Sequence, residues 1–333
     1  MTRRTVLVTG GAGYIGSHAC KALAAAGYRP VAFDNLSLGH RWAVRWGPLI
    51  EADLLDETVL ASALREYQVS AVIHFAASAY VADSVRDPAA YYENNVLTTL
   101  RLMEAMLNAG ITNLIFSSSC SVYGNPTRIP IDETHPTNPL SPYGQTKLDC
   151  ENALRWFGQA YGLRWIALRY FNAAGADPEG ELGEDHEPET RLIPLAILAA
   201  MSKGPPLQIF GTDYDTEDGT AVRDYIHVSD LAEGHVLALK QLEAGVAAQI
   251  FNLGSGHGLS VRQITDAVTA IAGVPVPQQH APRRAGDPAR VVADAARARS
   301  ILSWSPRYSS VETIVGTAWR WRQRQLAQSD RQK

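Results

Sequence analysis

Val6-Leu7-Val8-Thr9-Gly10-Gly11-Ala12-Gly13-Tyr14-Ile15-Gly16 decides the fold. An apolar, β-type run stops at a glycine-rich turn, and an amphipathic helical pattern, Tyr14–Ala26, follows. The spacing predicts strand, turn and helix, in that order. The first-turn N–H groups of such a helix have no intrahelical acceptor and offer a seat to a pyrophosphate. Gly10 permits the tight turn, Gly13 lets backbone approach phosphate, and Gly16 removes a side chain where helix meets strand. Three glycines in a turn are often only structural. Their place between strand and helix is what points to a dinucleotide, with Tyr14 and Ile15 counted in the cradle.

Outward from this unit the alternation continues. Strands are expected at Pro30–Asp34, Pro48–Glu51, Ala71–Phe75, Asn113–Ser118 and Arg164–Tyr170, each short and apolar on both faces. Helices are expected at Glu57–Tyr67, Pro88–Ala109 and Pro142–Tyr161. Strand–helix alternation of this kind predicts an α/β fold, a doubly wound parallel sheet of Rossmann type. From Asn172 the texture changes. Ala176 to Thr190 is acidic, rich in Gly and Pro, and reads as a long loop. Helices resume near Leu192–Lys203, Asp230–Leu242, Val261–Ile271 and Val311–Leu326, with short strands at Leu207–Phe210 and Gln249–Asn252. We therefore expect a dinucleotide-binding domain over residues 1–171 and a smaller α/β substrate lobe over 172–333, some of whose segments return to the main sheet. The basic tail from Trp319-Arg320-Trp321-Arg322 to Lys333 reads as a surface helix that frays.

Asp34 closes the second strand. A carboxylate there accepts hydrogen bonds from adenosine ribose hydroxyls and repels a 2′-phosphate, so NAD is expected over NADP. Asn35 and Ser37 follow it on the same rim. Asp53 and Leu54, and Phe75-Ala76-Ala77, sit at C-terminal strand ends, the edge where doubly wound sheets bind ligands.

Ser141-Pro142-Tyr143-Gly144-Gln145-Thr146-Lys147 carries the chemistry. Tyr143 and Lys147 stand at i and i+4, on one helix face. An ammonium beside a phenol favours phenolate, which makes a tyrosine a general base. Such a pair is common on helix surfaces, but here Ser117-Ser118-Ser119 ends a strand about 25 residues earlier and offers a hydroxyl to the same oxygen. A dinucleotide cradle with an activated tyrosine implies redox chemistry at a carbinol carbon.

Composition narrows the class. A net charge of −4 provides no basic field for nucleic acid or an anionic membrane. No run approaches the 18 or more apolar residues of a membrane span. The apolar run behind Met-Thr-Arg-Arg is broken by four glycines, so it reads as the first strand and not as a signal peptide. Three cysteines, Cys20, Cys120 and Cys150, lack metal-ligand spacing and suit reduced thiols in a cytoplasmic protein. The nine histidines are scattered, and His227 and His235 lie eight apart, so no metal is expected. His227 reads as a structural hydrogen-bonding residue.

The chain resembles the extended short-chain dehydrogenase/reductases, and among them the UDP-glucose 4-epimerases. The likeness runs through VTGGAGYIGSH, FDNLS, VIHFAA, YYENNV, FSSSCSVYG, SPYGQTK, RYFNAAGA, GTDYDTEDGTAVRDYIHV, FNLGSG and APRRAGD. It implies Tyr143 as the base, Lys147 as its activator and nicotinamide-ribose ligand, and Ser119 as the hydroxyl at the sugar O4. It places Asn94 and Asn172 near the substrate, with Asn94 and Ser117 also on the cofactor, and Tyr170 and Phe171 near the nicotinamide. Arg223 and Arg284 would neutralise a UDP diphosphate, with a guanidinium's bidentate fit to phosphate oxygens. Asp287 would hold a sugar or ribose hydroxyl, and Leu192, Gln208 and Phe210 would complete the substrate wall. A homodimer paired through Pro88–Ala109 and Pro142–Tyr161 is also implied.

The chain departs from that pattern at three positions. Ala79 stands where the best-known bacterial members carry lysine, Arg191 where a substrate-side asparagine is usual, and Val291 where a tyrosine crowds the hexose. The pocket is then wider or differently charged. Arg191 either points inward, adding bulk and charge, or faces solvent. A UDP-pentose or a UDP-N-acetylhexosamine is the alternative substrate. Nucleotide-sugar dehydratases and decarboxylases of this fold carry an acid after the catalytic Ser/Thr; Cys120 and Ser121 stand there instead. A non-catalytic NAD-binding protein would tend to lose the Tyr143–Lys147 pair, which this chain keeps.

Overall fold

The computed structural model describes residues 3–284 and 286–331. β1 (Thr5–Thr9) is buried along its whole length and leads into α1 (Tyr14–Ala25). There follow β2 (Arg29–Asp34), β3 (Leu49–Glu51), α2 (Glu57–Glu66) and β4 (Val69–His74), then α3 (Val81–Arg86), α4 (Pro88–Tyr91) and α5 (Thr98–Asn108). β5 (Asn113–Ser119), α6 (Pro142–Tyr161) and β6 (Arg164–Tyr170) close the first half. The second half holds β7 (Asn172–Ala174), α7 (Leu192–Ala200), β8 (Leu207–Phe210), β9 (Val222–His227), α8 (Val228–Glu243) and β10 (Gln249–Leu253). β11 (Gly258–Ser260), α9 (Val261–Ala272), β12 (Gln278–Ala281), β13 (Arg290–Val291), α10 (Ala296–Leu302) and α11 (Val311–Arg331) complete it.

Seven strands form the main sheet in the order β10-β6-β5-β4-β1-β2-β3, every neighbouring pair parallel. The chain leaves β1 toward β2 and β3, then crosses back to β4, β5 and β6. The order therefore reverses between β1 and β4, and a doubly wound sheet opens its ligand crevice at that point. Period-2 alternation assigns the two faces. Val6 and Val8 pack with Leu23, Leu231 and Leu239 under α1 and α8, while Leu7 packs with Leu60, Leu102 and Leu154 under the opposite helices. β10 adds to β6 in parallel, so a segment of the second half does join the first sheet. α8 and α10 also pack on that sheet, while α7, β8, α9 and α11 gather about a second core of Ile193, Ile197, Ile209, Tyr225, Ile264 and Ile314.

Local chemistry sets the element ends. Ser141 caps α6 by accepting from the Gly144 N–H, Pro142 fits the first turn, and Gly162 ends the helix at φ 73°. The helix expected over Pro88–Ala109 is not continuous: a π-helical turn, Tyr92–Leu97, separates α4 from α5. The buried Asn95 amide explains it, bonding both backbone groups of Ser78 (2.8 and 3.0 Å) and Thr146 Oγ1 (3.1 Å). Nor does α11 fray where the basic tail begins. Trp321 donates to the Glu184 carbonyl at 3.0 Å, and Arg324 caps the carbonyls of Glu179 and Gly180. The tail's last two residues, Gln332 and Lys333, lie outside the described residues.

Candidate active site

The glycine turn opens at the switch point. Gly10 has φ +70°, and a Cβ there would stand 2.7 Å from the Ala76 amide nitrogen. A Cβ on Gly16 would come within 2.1 Å of the Gly10 carbonyl. Gly13 is different: its Cβ would meet only the Gly10 carbonyl, at 3.3 Å. α1 starts on Gly13 with no side-chain cap and no acidic residue in its first turn. Its N-terminal dipole is left for an anion, as a pyrophosphate requires. Tyr14 joins through its backbone, since its phenol donates to the Gly175 carbonyl at 2.6 Å.

Asp34 is 9% exposed, and its carboxylate accepts from the N–H groups of Ala12 and Leu36, both at 2.9 Å. Burial raises its pKa and these two bonds pull it back. Asn35 donates to Asp53 at 2.9 Å, and the Ser37 N–H donates to Asn35. Asp53 also accepts from the Leu55 N–H, while Leu54 is buried. The N–H groups of Phe75 and Ala76 share the Thr9 carbonyl, drawing the end of β4 against β1, with Ala77 half-buried beside them. Asn94 donates to Ser78 Oγ at 3.0 Å. These residues lie at or just beyond the C-terminal ends of β1, β2, β3 and β4, and their chemistry fits a dinucleotide: an uncapped helix start, a crowded glycine turn and a buried carboxylate acceptor.

Beyond that crevice β5 and α6 face each other. Lys147, 4% exposed, donates to the Ser117 carbonyl at 2.9 Å and lies 5.0 Å from the Phe116 ring centre. Ser117 Oγ shares a 2.8 Å bond with the Tyr170 hydroxyl. Ser119 stands near enough to the Tyr143 phenol to pull its pKa down, and its hydroxyl accepts from the Ser121 N–H. Burial pushes the Lys147 ammonium down to about 8. It also holds the Tyr143 phenol above its ordinary value, against the pull of Ser119 and the Arg191 charge. This corrects the expectation that Lys147 lowers the phenol: its ammonium is turned to the strand carbonyl, and desolvation dominates.

The substrate-side residues gather on the second half. Arg223 and Val291 are register partners on β9 and β13, and Asn172 is exposed opposite Tyr225. The Arg223 guanidinium pairs with Asp287 and donates to the Val222 carbonyl. Arg284 stacks over Phe210, 4.0 Å from the ring centre, at the end of β8, where Gln208 is exposed. Val291 packs on Phe171, Val122 and Tyr123. Leu192, half-buried, opens α7.

Arg191 points inward. Its Nε lies 2.8 Å from Glu184, which is 6% exposed, and its guanidinium sits 6.0 Å over the Tyr14 ring. His186 lies 3.0 Å from the same carboxylate and edge-on to Tyr14 and Tyr80. The sequence reading gave Glu184, His186 and Tyr80 no role. Their only signal was the density of charge in the acidic loop. Among the described residues two clusters have ligand atoms close enough for a metal, Glu184–His186–Glu189 and Asp177–Glu179–Glu181. Protein cations answer both: Arg191 the first and Lys21, at 2.8 Å from each carboxylate, the second.

The profile of the NAD dependent epimerase/dehydratase family matches residues 6–254. A UDP-glucose 4-epimerase of Rhizobium meliloti (strain 1021) is 50% identical over 324 residues, 97% of this chain and 98% of that one. The crystal structure of a UDP-glucose 4-epimerase from Brucella ovis in complex with NAD superposes with a TM-score of 0.93 at 51% identity, covering 95% of this chain and 98% of that chain. A UDP-glucose-4-epimerase from Stenotrophomonas maltophila, with bound NAD and formylated UDP-arabinopyranose, gives 0.94 at 39% identity over 98% and 100%.

Proposed function

Since the chain belongs to the NAD dependent epimerase/dehydratase family, we propose that it is an isomerase, inverting C4 of a UDP-hexose, glucose to galactose and back, through a transient 4-keto sugar. The observation that carries the assignment is the constellation at the end of β5: Ser119 beside the Tyr143 phenol and Lys147 on the Ser117 carbonyl, beside the glycine turn.

The parts divide the work. Tyr143 takes the C4 hydroxyl proton and later returns it, with Ser119 holding both oxygens in line. Lys147 fixes the ribose next to the reacting ring, while the Arg191 charge and Ser119 favour the phenolate. NAD, when bound, supplies a positively charged ring that accepts a hydride from C4 and gives it back to the opposite face. Gly10, Gly13, Gly16 and Asp34 seat it, and the buried carboxylate selects NAD over NADP. Arg223 and Arg284 hold the diphosphate while the sugar, which meets few charges, turns about its linkage. Residues 1–171 supply the cofactor side and 172–333 the substrate side.

A dehydratase needs a further acid beside Ser119, and Cys120, its thiol pushed up to about 12 by burial, does not serve. Partners follow from the same reading: a UDP-sugar, a second copy of the chain, and neither nucleic acid nor membrane. Exposed Tyr92 and Leu97 before α5, with Trp156 and Tyr161 on α6, supply the apolar surface for a homodimer. No described helix is long and apolar enough to cross a membrane. We assign the protein to the cytoplasm and to galactose metabolism on this reading. Incubation with UDP-glucose, UDP-N-acetylglucosamine and UDP-xylose separately, with chromatography of the C4 epimers, tests it. UDP-galactose from the first is expected; no epimer from any of the three overturns the assignment.

A further inference from the structure

Every residue assigned to the cofactor above comes from the first half of the chain, yet the second half also reaches the glycine turn. Gly13, Tyr14 and Ser17 line one cleft together with Gly183, Asp185 and His186 from the acidic loop. That segment is held from two sides. From the stretch after β2, His40 Nε2 bonds the Asp185 carbonyl at 2.7 Å, while its own N–H donates to the Ala12 carbonyl of the glycine turn. From α11, the Trp321 indole donates to the Glu184 carbonyl at 3.0 Å, and Arg322 faces Asp185 at 3.9 Å and Glu189 at 3.7 Å.

The two holds touch each other. Trp42 stacks on His40 with ring centres 5.3 Å apart and planes at 19°, and lies 5.3 Å from Trp321. The approach is close enough to require glycine, because a Cβ on Gly183 would stand 2.3 Å from the Trp321 ring. Three segments distant in sequence are therefore joined into one latch, across the mouth of the turn that seats the pyrophosphate.

We infer that the Gly183–His186 segment is the outer wall of the dinucleotide site, and that the latch of His40, Trp42, Trp321 and Arg322 sets how long the dinucleotide stays. The inference rests on reading the glycine turn as the NAD cradle. A dinucleotide lying on that turn cannot leave past this wall until the His40–Asp185 bond, the Trp321–Glu184 bond and the ring stack give way together. Long residence suits a reaction that returns its hydride to the same sugar, since a cofactor lost in the reduced state strands a ketone.

The test is the rate at which bound NAD escapes. Parent protein, Trp42→Ala and Trp321→Ala are loaded with NAD, freed of excess and mixed with an NAD-hydrolysing enzyme, and bound cofactor is followed in time. Each substitution is expected to speed escape on the order of tenfold, the effect of losing a stacked aromatic pair or one buried hydrogen bond. The double variant should be little faster than the faster single, because both open the same latch. Activity lost on dilution should return when NAD is added. Trp42 is 42% exposed, so its removal keeps the result readable should Trp321→Ala fold poorly. Escape at the parent rate from a folded Trp42→Ala protein overturns the latch. A parent that binds no NAD overturns the cofactor reading itself.

Discussion

The two rims of the site are built on opposite plans. On the β5–α6 rim each group proposed for the chemistry is buried and held in place: Lys147 bonds the Ser117 carbonyl, Tyr170 bonds Ser117, and Tyr143 lies beside Ser119. Behind it lies a fully buried fork, Arg169 on Glu151 at 2.8 and 2.5 Å, with Ser118 on the same carboxylate at 2.6 Å. Those bonds pin α6 to β5 and β6 at once. On the opposite rim the charged groups are partly exposed. Arg223 holds Asp287, and Arg284 lies on Phe210. Such pairs exchange for a phosphate at small cost, because neither partner is left buried and unpaired. The difference matches the task. A base must stay within hydrogen-bond reach of one atom, whereas a diphosphate must be gripped, turned about and released.

The largest effect should come from breaking the rigid rim. Tyr143→Phe keeps the ring and its packing and removes only the hydroxyl, so folding and NAD content should be unchanged. Turnover should fall about 10²–10⁴-fold, the range for a positioned general base. Near-parent turnover would mean another group takes the proton and would dissolve the contrast between the rims.

Lys147→Met sharpens the contrast differently, by separating activity from stability. A lysine held at about 8 instead of 10.5 binds its proton more weakly folded than unfolded. The cost is full below pH 8, shrinks as pH rises toward 10.5 and vanishes above it. At 1.36 kcal/mol per pH unit of displacement, that is on the order of 3 kcal/mol near neutrality. Part is returned by the bond to Ser117, which methionine loses. The variant should be nearly inactive yet melt higher than the parent at pH 7, with the gap narrowing at pH 9–10. A lower melting temperature at pH 7 would show that the rim needs its ammonium for stability as well as chemistry.

On the soft rim, Arg223→Ala should raise KM for the UDP-sugar about 10–100-fold, the worth of one or two charge-assisted bonds. kcat should change much less, and NAD content not at all. Pairing it with Asp287→Ala removes the carboxylate left behind and should leave the KM effect in place. A fall in kcat at constant KM would place Arg223 on the catalytic rim instead.

The sequence exposed these rims unevenly, for physical reasons. Val6-Leu7-Val8 announces a strand buried on both faces, and the glycine spacing after it restricts the turn to one geometry; both signals are local. Tyr143 and Lys147 are legible because helical spacing brings i and i+4 together wherever the helix packs. The π-helical turn at Tyr92–Leu97 was not legible, because it depends on Asn95 meeting Ser78 and Thr146. The inward turn of Arg191 depends on Glu184, placed by a loop without periodicity. The latch is the extreme case, since His40, Asp185 and Trp321 come from three segments that nothing in their local pattern connects. The rise in the phenol's pKa is not legible in the sequence, because spacing reports which groups share a face, and not where an ammonium points or how much water burial removes.

The smallest and most selective effect concerns the sugar itself. Val291 lies beside Arg223 across a parallel strand pair and rests on Phe171, Val122 and Tyr123. A phenol ring on that register position would reach beyond valine's contacts, toward Arg223. Valine lacks that ring, and the room a ring would take is about that of an acetamido group. Arg191 does not refill it, since its guanidinium is committed to Glu184 and lies over Tyr14. UDP-glucose and UDP-galactose should therefore be the main pair, with slower but measurable epimerisation of UDP-N-acetylglucosamine or a UDP-pentose. Val291→Tyr should depress the N-acetylated substrate selectively, because the ring meets the acetamido group and not a hydroxyl. A steric block of this kind discriminates by about 10–200-fold per misfit group. It should appear in the ratio of kcat/KM for the two substrates and not in either rate alone. Equal loss on both sugars would mean the ring disturbs the Arg223 strand pair, and the soft rim would then owe its breadth to backbone freedom and not to the missing side chain.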